Sequence, residues 1–162
     1  MTLVVLLGGA RSGKSERAVR LAGDAGAPVV FVATGEGRDE EMAARIEEHR
    51  RERPESWATV EEPLELRGAL DAAPADSTVV VDCLSLWVAN LLEHGREPEN
   101  LAPVAAARPG LTIAVSNEVG LGIVPANELA RRFRDVLGRV NAAWVAASDE
   151  AYLCVAGRTI AL

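Results

Sequence analysis

The chain holds a single lysine; the other sixteen of its seventeen Lys and Arg side chains are arginine. It has two cysteines and two histidines, and aromatic residues make up only 4%. The cysteines, Cys83 and Cys154, lie in or beside apolar runs, far apart and without metal-ligand spacing. That argues against a zinc site or a disulfide framework and for buried, reduced thiols. No apolar run is long enough to span a bilayer. The opening TLVVLL lacks a basic lead and runs straight into glycines, so it does not read as a secretion signal, and a cytoplasmic protein is expected. A net charge of −7 offers no basic face of the kind a nucleic-acid binder or a translocating DNA motor needs. There is no internal repeat, no low-complexity linker and no N-K-x-D stretch of the kind a guanine-reading switch GTPase carries. A length of 162 residues suits one domain, residues 1–162, with a sizeable core.

The one lysine stands in GGARSGKS, residues 8–15, directly after TLVVLL. Glycines at Gly8 and Gly13 permit backbone angles closed to other residues, so successive N–H groups can turn inward on phosphate oxygens. In such a loop Lys14 reaches the outer phosphates and the Ser15 hydroxyl ligates Mg²⁺. A compact ammonium suits that place better than a planar guanidinium, which gives meaning to a lone lysine in an arginine-biased chain. The required context is a strand before the loop and a helix after it.

Both are expected. Continuous apolar runs predict strands over residues 2–7, 28–33, 78–82, 111–116 and 151–156, each covered on both faces. Helical patterns fall between them, over residues 13–23, 39–53, 63–72, 84–93 and 127–147. Alternation of this kind predicts an α/β fold, a mainly parallel sheet with helices on both faces. The end, LCVAGRTIAL, reads as a strand, a tight turn at Gly157 and a returning strand, a C-terminal β-hairpin. Residues 93–110, with three prolines, read as a loop or a mobile helix.

Three further stretches carry chemistry. VVVDC, residues 79–83, ends an apolar strand in Asp82, where a carboxylate can stand beside the water shell of a nucleotide-bound magnesium; a strand-end turn residue is the plainer alternative. SNEVG, residues 116–120, ends another strand, so Asn117 and Glu118 either sense the outer phosphate, touch an acceptor, or form an Asx-capped turn. In EEMAARIEEHRRERP, residues 40–54, the charges suit a solvated helix face. Yet His49, Arg50 and Arg53 share one side, and a neutral imidazole beside guanidiniums can attack phosphorus. His94, at a helix end, suits a C-terminal cap.

Together these blocks, with W-A-T-VEEP, DCLSLWVANLL and SNEVGLGIVPANELARRFRDVLGRVN, resemble in order the bifunctional adenosylcobinamide kinase / adenosylcobinamide-phosphate guanylyltransferases of cobalamin biosynthesis. The resemblance covers nearly the whole chain. It implies a P-loop NTPase fold of RecA-like type, a homotrimer, and Mg²⁺ with GTP and ATP as substrates. It implies that His49, in its H-R-x-x-R-P setting, is the nucleophile that takes up GMP, and that Lys14 serves catalysis in both reactions. Some relatives carry a second histidine just before it; here that place is Glu48. Nucleotide contacts carried over are Gly8, Gly9, Ala10, Arg11, Ser12, Gly13, Lys14 and Ser15, then Ala33, Thr34 and Gly35, then Arg50, Arg51, Glu52 and Arg53, with Glu61 and Asp82. Ser15 and Asp82 would face the metal. The implied partners are adenosylcobinamide and its phosphate, with no nucleic acid and no membrane span. The segment between Leu92 and Leu111 looks shorter than in most relatives. A plain small-molecule kinase built on the same loop is the alternative, and would need no nucleophilic histidine.

Overall fold

Apolar residues that run without alternation bury both faces of a strand, and here they build the middle of a sheet. A computed structural model of the chain describes residues 2–37, 40–51 and 53–162. Among the described residues the order is β1 (Thr2–Gly8), α1 (Lys14–Asp24), β2 (Val29–Ala33), α2 (Glu40–Arg51), β3 (Ala58–Glu61), α3 (Leu66–Ala72), β4 (Thr78–Asp82), α4 (Leu84–Glu93), α5 (Ala102–Ala107), β5 (Leu111–Asn117), α6 (Glu128–Ala147), β6 (Glu150–Val155) and β7 (Arg158–Ala161). The strands form one sheet in the order β3-β2-β4-β5-β1-β6-β7. Every pairing is parallel except β6 with β7, which form the expected antiparallel hairpin.

Alternate residues of each central strand feed two cores. Leu3, Val5, Val32, Val79, Val81 and Ala114 face Leu70, Leu84, Trp87, Leu137 and Trp144 of α3, α4 and α6. Val4, Leu6, Phe31, Val80, Ile113 and Val115 face Ala18 and Ala22 of α1. Helices therefore cover both faces, and the α/β expectation holds. The two thiols are free and buried, as their apolar settings predict. His94 caps α4, its Nδ1 lying 2.8 Å from the Asn90 carbonyl.

The departures have local causes. Strand β3 was not expected, because all four of its residues are exposed on the sheet edge and carry no apolar run. Helix α3 starts at Leu66 rather than at residue 63. The Glu62 carboxylate takes the N–H groups of Leu64 and Glu65 at 3.1 and 2.8 Å. The carbonyls of Pro63 and Leu64 are spent on Asn90 and Trp87, so the first turn is tied to α4 and not to itself. The proline-rich stretch 93–110 contains a short helix, α5, with proline in its first turn, where a missing N–H costs nothing. The helix expected over 39–53 is observed as Glu40–Arg51; Asp39 and Glu52 lie outside the described residues.

What matters for function is register. Glu61 pairs with Ala33, Ala33 with Asp82, Gly8 with Asn117 and Gly8 with Cys154. The carboxyl ends of β1 to β5 thus finish along one edge, where open α/β sheets hold their ligands.

Candidate active site

The phosphate loop is shaped by what surrounds it. A Cβ on Gly8 would lie 2.6 Å from the Cys154 carbonyl oxygen and 2.6 Å from Ser12 Oγ, so only glycine lets β6 and the loop close on this point. Gly13 sits in the left-handed region at φ +91° just before α1, a conformation that favours glycine. The hairpin turn presses on the loop from the other side: the Gly157 N–H donates to the Ser12 carbonyl at 3.0 Å. The Glu118 N–H donates to the Gly8 carbonyl at 3.1 Å, which ties the end of β5 to the same strand end.

Lys14 is only 9% exposed, and its Nζ donates to the Gly9 carbonyl at 2.9 Å, folding the ammonium back over the loop it would serve. Ser12 is 7% exposed and its Oγ has no hydrogen-bond partner among the described residues, an orphaned polar atom inside the glycine loop. Such an arrangement suits an anion that supplies acceptors from outside the chain.

Asp82, half-buried at the end of β4, is where separate parts of the chain converge. Burial pushes its carboxyl above the usual carboxylate range. The Ser15 hydroxyl opposes that rise most, followed by the electrostatic influence of His49, Lys14 and Arg53. The loop lysine, the loop serine, His49 and Arg53 thus all lie near enough to this carboxylate to influence it. Helix α2 and the chain just past it are fastened at two points. Arg50 pairs with Glu61 on β3 and reaches Glu47 at 3.8 Å. The Arg53 guanidinium lies 3.8 Å over the Phe31 ring centroid on β2, a cation–π contact. Arg51 points away to Glu47 and is exposed.

The remaining expected positions fall around this centre. Ala33 ends β2, and Gly35 follows under α2, where a Cβ would sit 3.4 Å from Ile46. Asn117 is held through its main chain by the Ser85 hydroxyl at 3.3 Å and Asn141 Nδ2 at 3.0 Å. The Glu118 carboxylate takes the Gly120 N–H at 2.8 Å, so that side chain closes a turn. Sequence reasoning passed over Ser85, Asn90 and Asn141, all buried polar residues braced against this edge. The readable signal was a polar residue inside an otherwise apolar helical run, as Ser85 and Asn90 are in DCLSLWVANLL.

Residues 4–162 match the family model described as cobinamide kinase / cobinamide phosphate guanyltransferase. The chain belongs to that family. Among relatives of this cobinamide kinase / guanyltransferase chain is the bifunctional adenosylcobalamin biosynthesis protein CobP of Pseudomonas aeruginosa, 44% identical over 160 residues, covering 94% of this chain and 92% of its own. The bifunctional adenosylcobalamin biosynthesis proteins CobU of Salmonella typhimurium and Escherichia coli are each 40% identical, covering 96% of this chain and 96% of theirs. Among solved structures, the P4 protein from bacteriophage phi6, in complex with ADP, superposes with a TM-score of 0.50 at 15% identity. That match covers 98% of this chain and 54% of the phage protein, and shows a shared P-loop NTPase fold.

Proposed function

We propose that the chain phosphorylates adenosylcobinamide with ATP or GTP and then transfers GMP from GTP, through His49, to the phosphorylated corrinoid. What supports this reading is the glycine loop with Lys14 folded over it and Asp82 at the neighbouring strand end, near enough to His49, Ser15 and Arg53 to feel them, in a chain of this family.

In the first reaction the hydroxyl oxygen of the aminopropanol arm attacks the γ-phosphorus. The bond from that phosphorus to the β-phosphate oxygen breaks, the nucleoside diphosphate leaves, and the hydroxyl proton passes to solvent. In the second, an imidazole nitrogen of His49 attacks the α-phosphorus of GTP and pyrophosphate leaves. A phosphate oxygen of adenosylcobinamide phosphate then attacks the guanylyl phosphorus, breaks the P–N bond, and returns His49 with adenosylcobinamide-GDP as product. The inward amides of residues 8–15 hold the phosphates, Lys14 leaves the Gly9 carbonyl to neutralise them, and Arg50 and Arg53 stabilise charge as it develops. Asn117 and Glu118, at the end of β5, stand where an outer phosphate or the acceptor would be sensed.

The Ser15 hydroxyl and the Asp82 carboxylate suit Mg²⁺, which keeps several waters and takes its remaining oxygens from nucleotide phosphates. Among the described residues no group of three or more His, Cys, Asp or Glu side chains forms a dedicated metal cage, in keeping with a cation shared with substrate. When bound, the cation would neutralise charge on the transferring phosphoryl groups. No helix among the described residues is long and apolar enough to cross a membrane. Trimeric assembly and action in the cytoplasm, where both nucleotides are at hand, belong to the same proposal.

His49→Ala tests the reading. Incubation with GTP labelled at the α-phosphorus should mark the wild-type chain with an adduct stable in alkali and lost in mild acid. The variant should take no label and make no adenosylcobinamide-GDP, yet still phosphorylate adenosylcobinamide. Guanylyl transfer at the normal rate by the variant would refute the role of His49; a wild-type chain that phosphorylates but never labels would be a plain kinase.

A further inference from the structure

Thr34, the first residue beyond β2, is 0% exposed, so its side chain has no surface to offer a nucleotide. Its hydroxyl is spent elsewhere. It donates to the Cys83 carbonyl at 2.7 Å and accepts from the Cys83 N–H at 2.9 Å. The Thr34 N–H donates to the Asp82 carbonyl at 3.1 Å, and its own carbonyl accepts from Asn90 Nδ2 at 2.8 Å. Three of these four bonds go to Asp82, which ends β4, and to Cys83, which follows it.

The sheet explains why they are needed. The β2–β4 ladder stops at Ala33 with Asp82, and the β4–β5 ladder stops at Asp82 with Val115. Cys83 therefore leaves the sheet buried and with no strand beside it among the described residues; its carbonyl accepts the Trp87 N–H at 3.2 Å as α4 begins, while its N–H goes to the Thr34 hydroxyl. A short side chain that both donates and accepts can serve the two groups of one residue at once, as Thr and Ser can and Val cannot. The strand end that carries the Asp82 carboxylate is thereby fixed by one side chain from the next strand.

We propose that Thr34 is a positioning residue for Asp82: its hydroxyl replaces the missing ladder partner of Cys83 and so sets where the Asp82 oxygens face Ser15 and the nucleotide's magnesium. This rests on the reading of Asp82 as the magnesium-facing carboxylate. The Thr34 hydroxyl acts through the Cys83 backbone and not by touching substrate.

The test uses the full chain with Thr34→Val, which keeps shape and removes the hydroxyl, Thr34→Ser, which restores it, and Asp82→Asn. Binding of guanosine 5′-imidotriphosphate, a non-hydrolysable analogue, is measured by calorimetry with and without Mg²⁺, beside thermal unfolding of the free protein. Thr34→Val should cut the affinity gained from Mg²⁺ by about 10–100-fold, the usual cost of losing an outer partner of a metal ligand. Thr34→Ser should recover the gain. Asp82→Asn should lose it, and Thr34→Val added to Asp82→Asn should remove nothing more. A lowered unfolding temperature with the magnesium gain intact would make Thr34 a merely structural residue and overturn the proposal. So would a loss in Thr34→Ser equal to that in Thr34→Val. A full gain in Asp82→Asn would instead sink the reading of Asp82, and the proposal with it. Should Thr34→Val fail to fold, Thr34→Cys, whose thiol is a weak donor, is held to the same criteria.

Discussion

Replacing Gly8 with alanine puts a methyl group where two neighbours already stand, at 2.6 Å from the Cys154 carbonyl oxygen and 2.6 Å from Ser12 Oγ, with Cys154 Cβ at 3.2 Å. Ordinary contact for a carbon needs about 3.5 Å or more, so each of the two closest approaches is short by nearly 1 Å. Ser12 Oγ can rotate, but the Cys154 carbonyl belongs to β6 and is in register with Gly8 across the parallel ladder. Relief therefore means parting β6 from β1 or pushing the loop outward. Overpacking of this kind costs about 1–3 kcal/mol. At ~2–4 °C per kcal/mol for a domain of this size, the unfolding temperature should fall by roughly 2–12 °C. The loop would bear the larger share of the damage. A displacement approaching 1 Å in groups that position phosphate costs about 100-fold in turnover, so both transfers should drop by at least that. Gly9→Ala is the control, because a Cβ there meets nothing within 4 Å. Its unfolding temperature should match the wild type whatever happens to activity. Scanning calorimetry and initial rates of both transfers decide the matter. A Gly8→Ala chain that unfolds at the wild-type temperature and turns over normally would show that β6 does not brace the loop.

Lys14→Ala should abolish both transfers and leave the circular dichroism spectrum unchanged. Lys14→Arg should fail as well, because a planar fork does not fit where a point charge folds back to the Gly9 carbonyl; normal turnover in either variant would remove the phosphate-loop assignment. Asp82→Asn should change how stability depends on pH in the nucleotide-free chain. Burial raises the folded pKa of Asp82, so the folded chain keeps a proton that the unfolded chain has released. Stability from this group therefore falls as pH climbs from the ordinary carboxylate pKa, about 3.9, through the raised one. Urea midpoints of wild type and Asp82→Asn should converge in acid and part towards neutrality with the variant ahead; a wild type that leads at neutral pH would contradict the assignment.

Most of the sheet was legible because its central strands are buried on both faces and so must be apolar throughout, as in TLVVLL and TVVVD. Strand β3 was not, since an exposed edge strand needs no such pattern and ATVE has none. The start of α3 was missed for a different reason: the Glu62 carboxylate and two α4 side chains claim the groups a first turn would use, and those partners are distant in sequence. In the site, the loop and Asp82 were readable from spacing and strand ends. That His49 lies near enough to Asp82 to influence it was not, because it depends on how α2 and the residues just past it are fastened, by Arg50 to Glu61 and by Arg53 to Phe31. Thr34 shows the limit most plainly. Its place beside the phosphate site could be carried over from relatives, but the direction of its hydroxyl is a property of where two ladders end.

Of the seven strands β1 is made before the other six, yet its partners in the sheet are β5 and β6. Roughly 100 residues separate Gly8 from Leu111, about 5–20 s of translation at ~5–20 residues per second. Through that interval TLVVLL has no strand to pair with, and the β2–β4 half of the sheet can assemble without it. The strand that leads into the glycine loop is thus among the last to be locked in place, held between β5 and β6 only once both have been made. Nucleotide binding arrives late in the life of the nascent chain, and a chain cut short before β6 would carry every phosphate-loop residue and still lack the wall that shapes the loop.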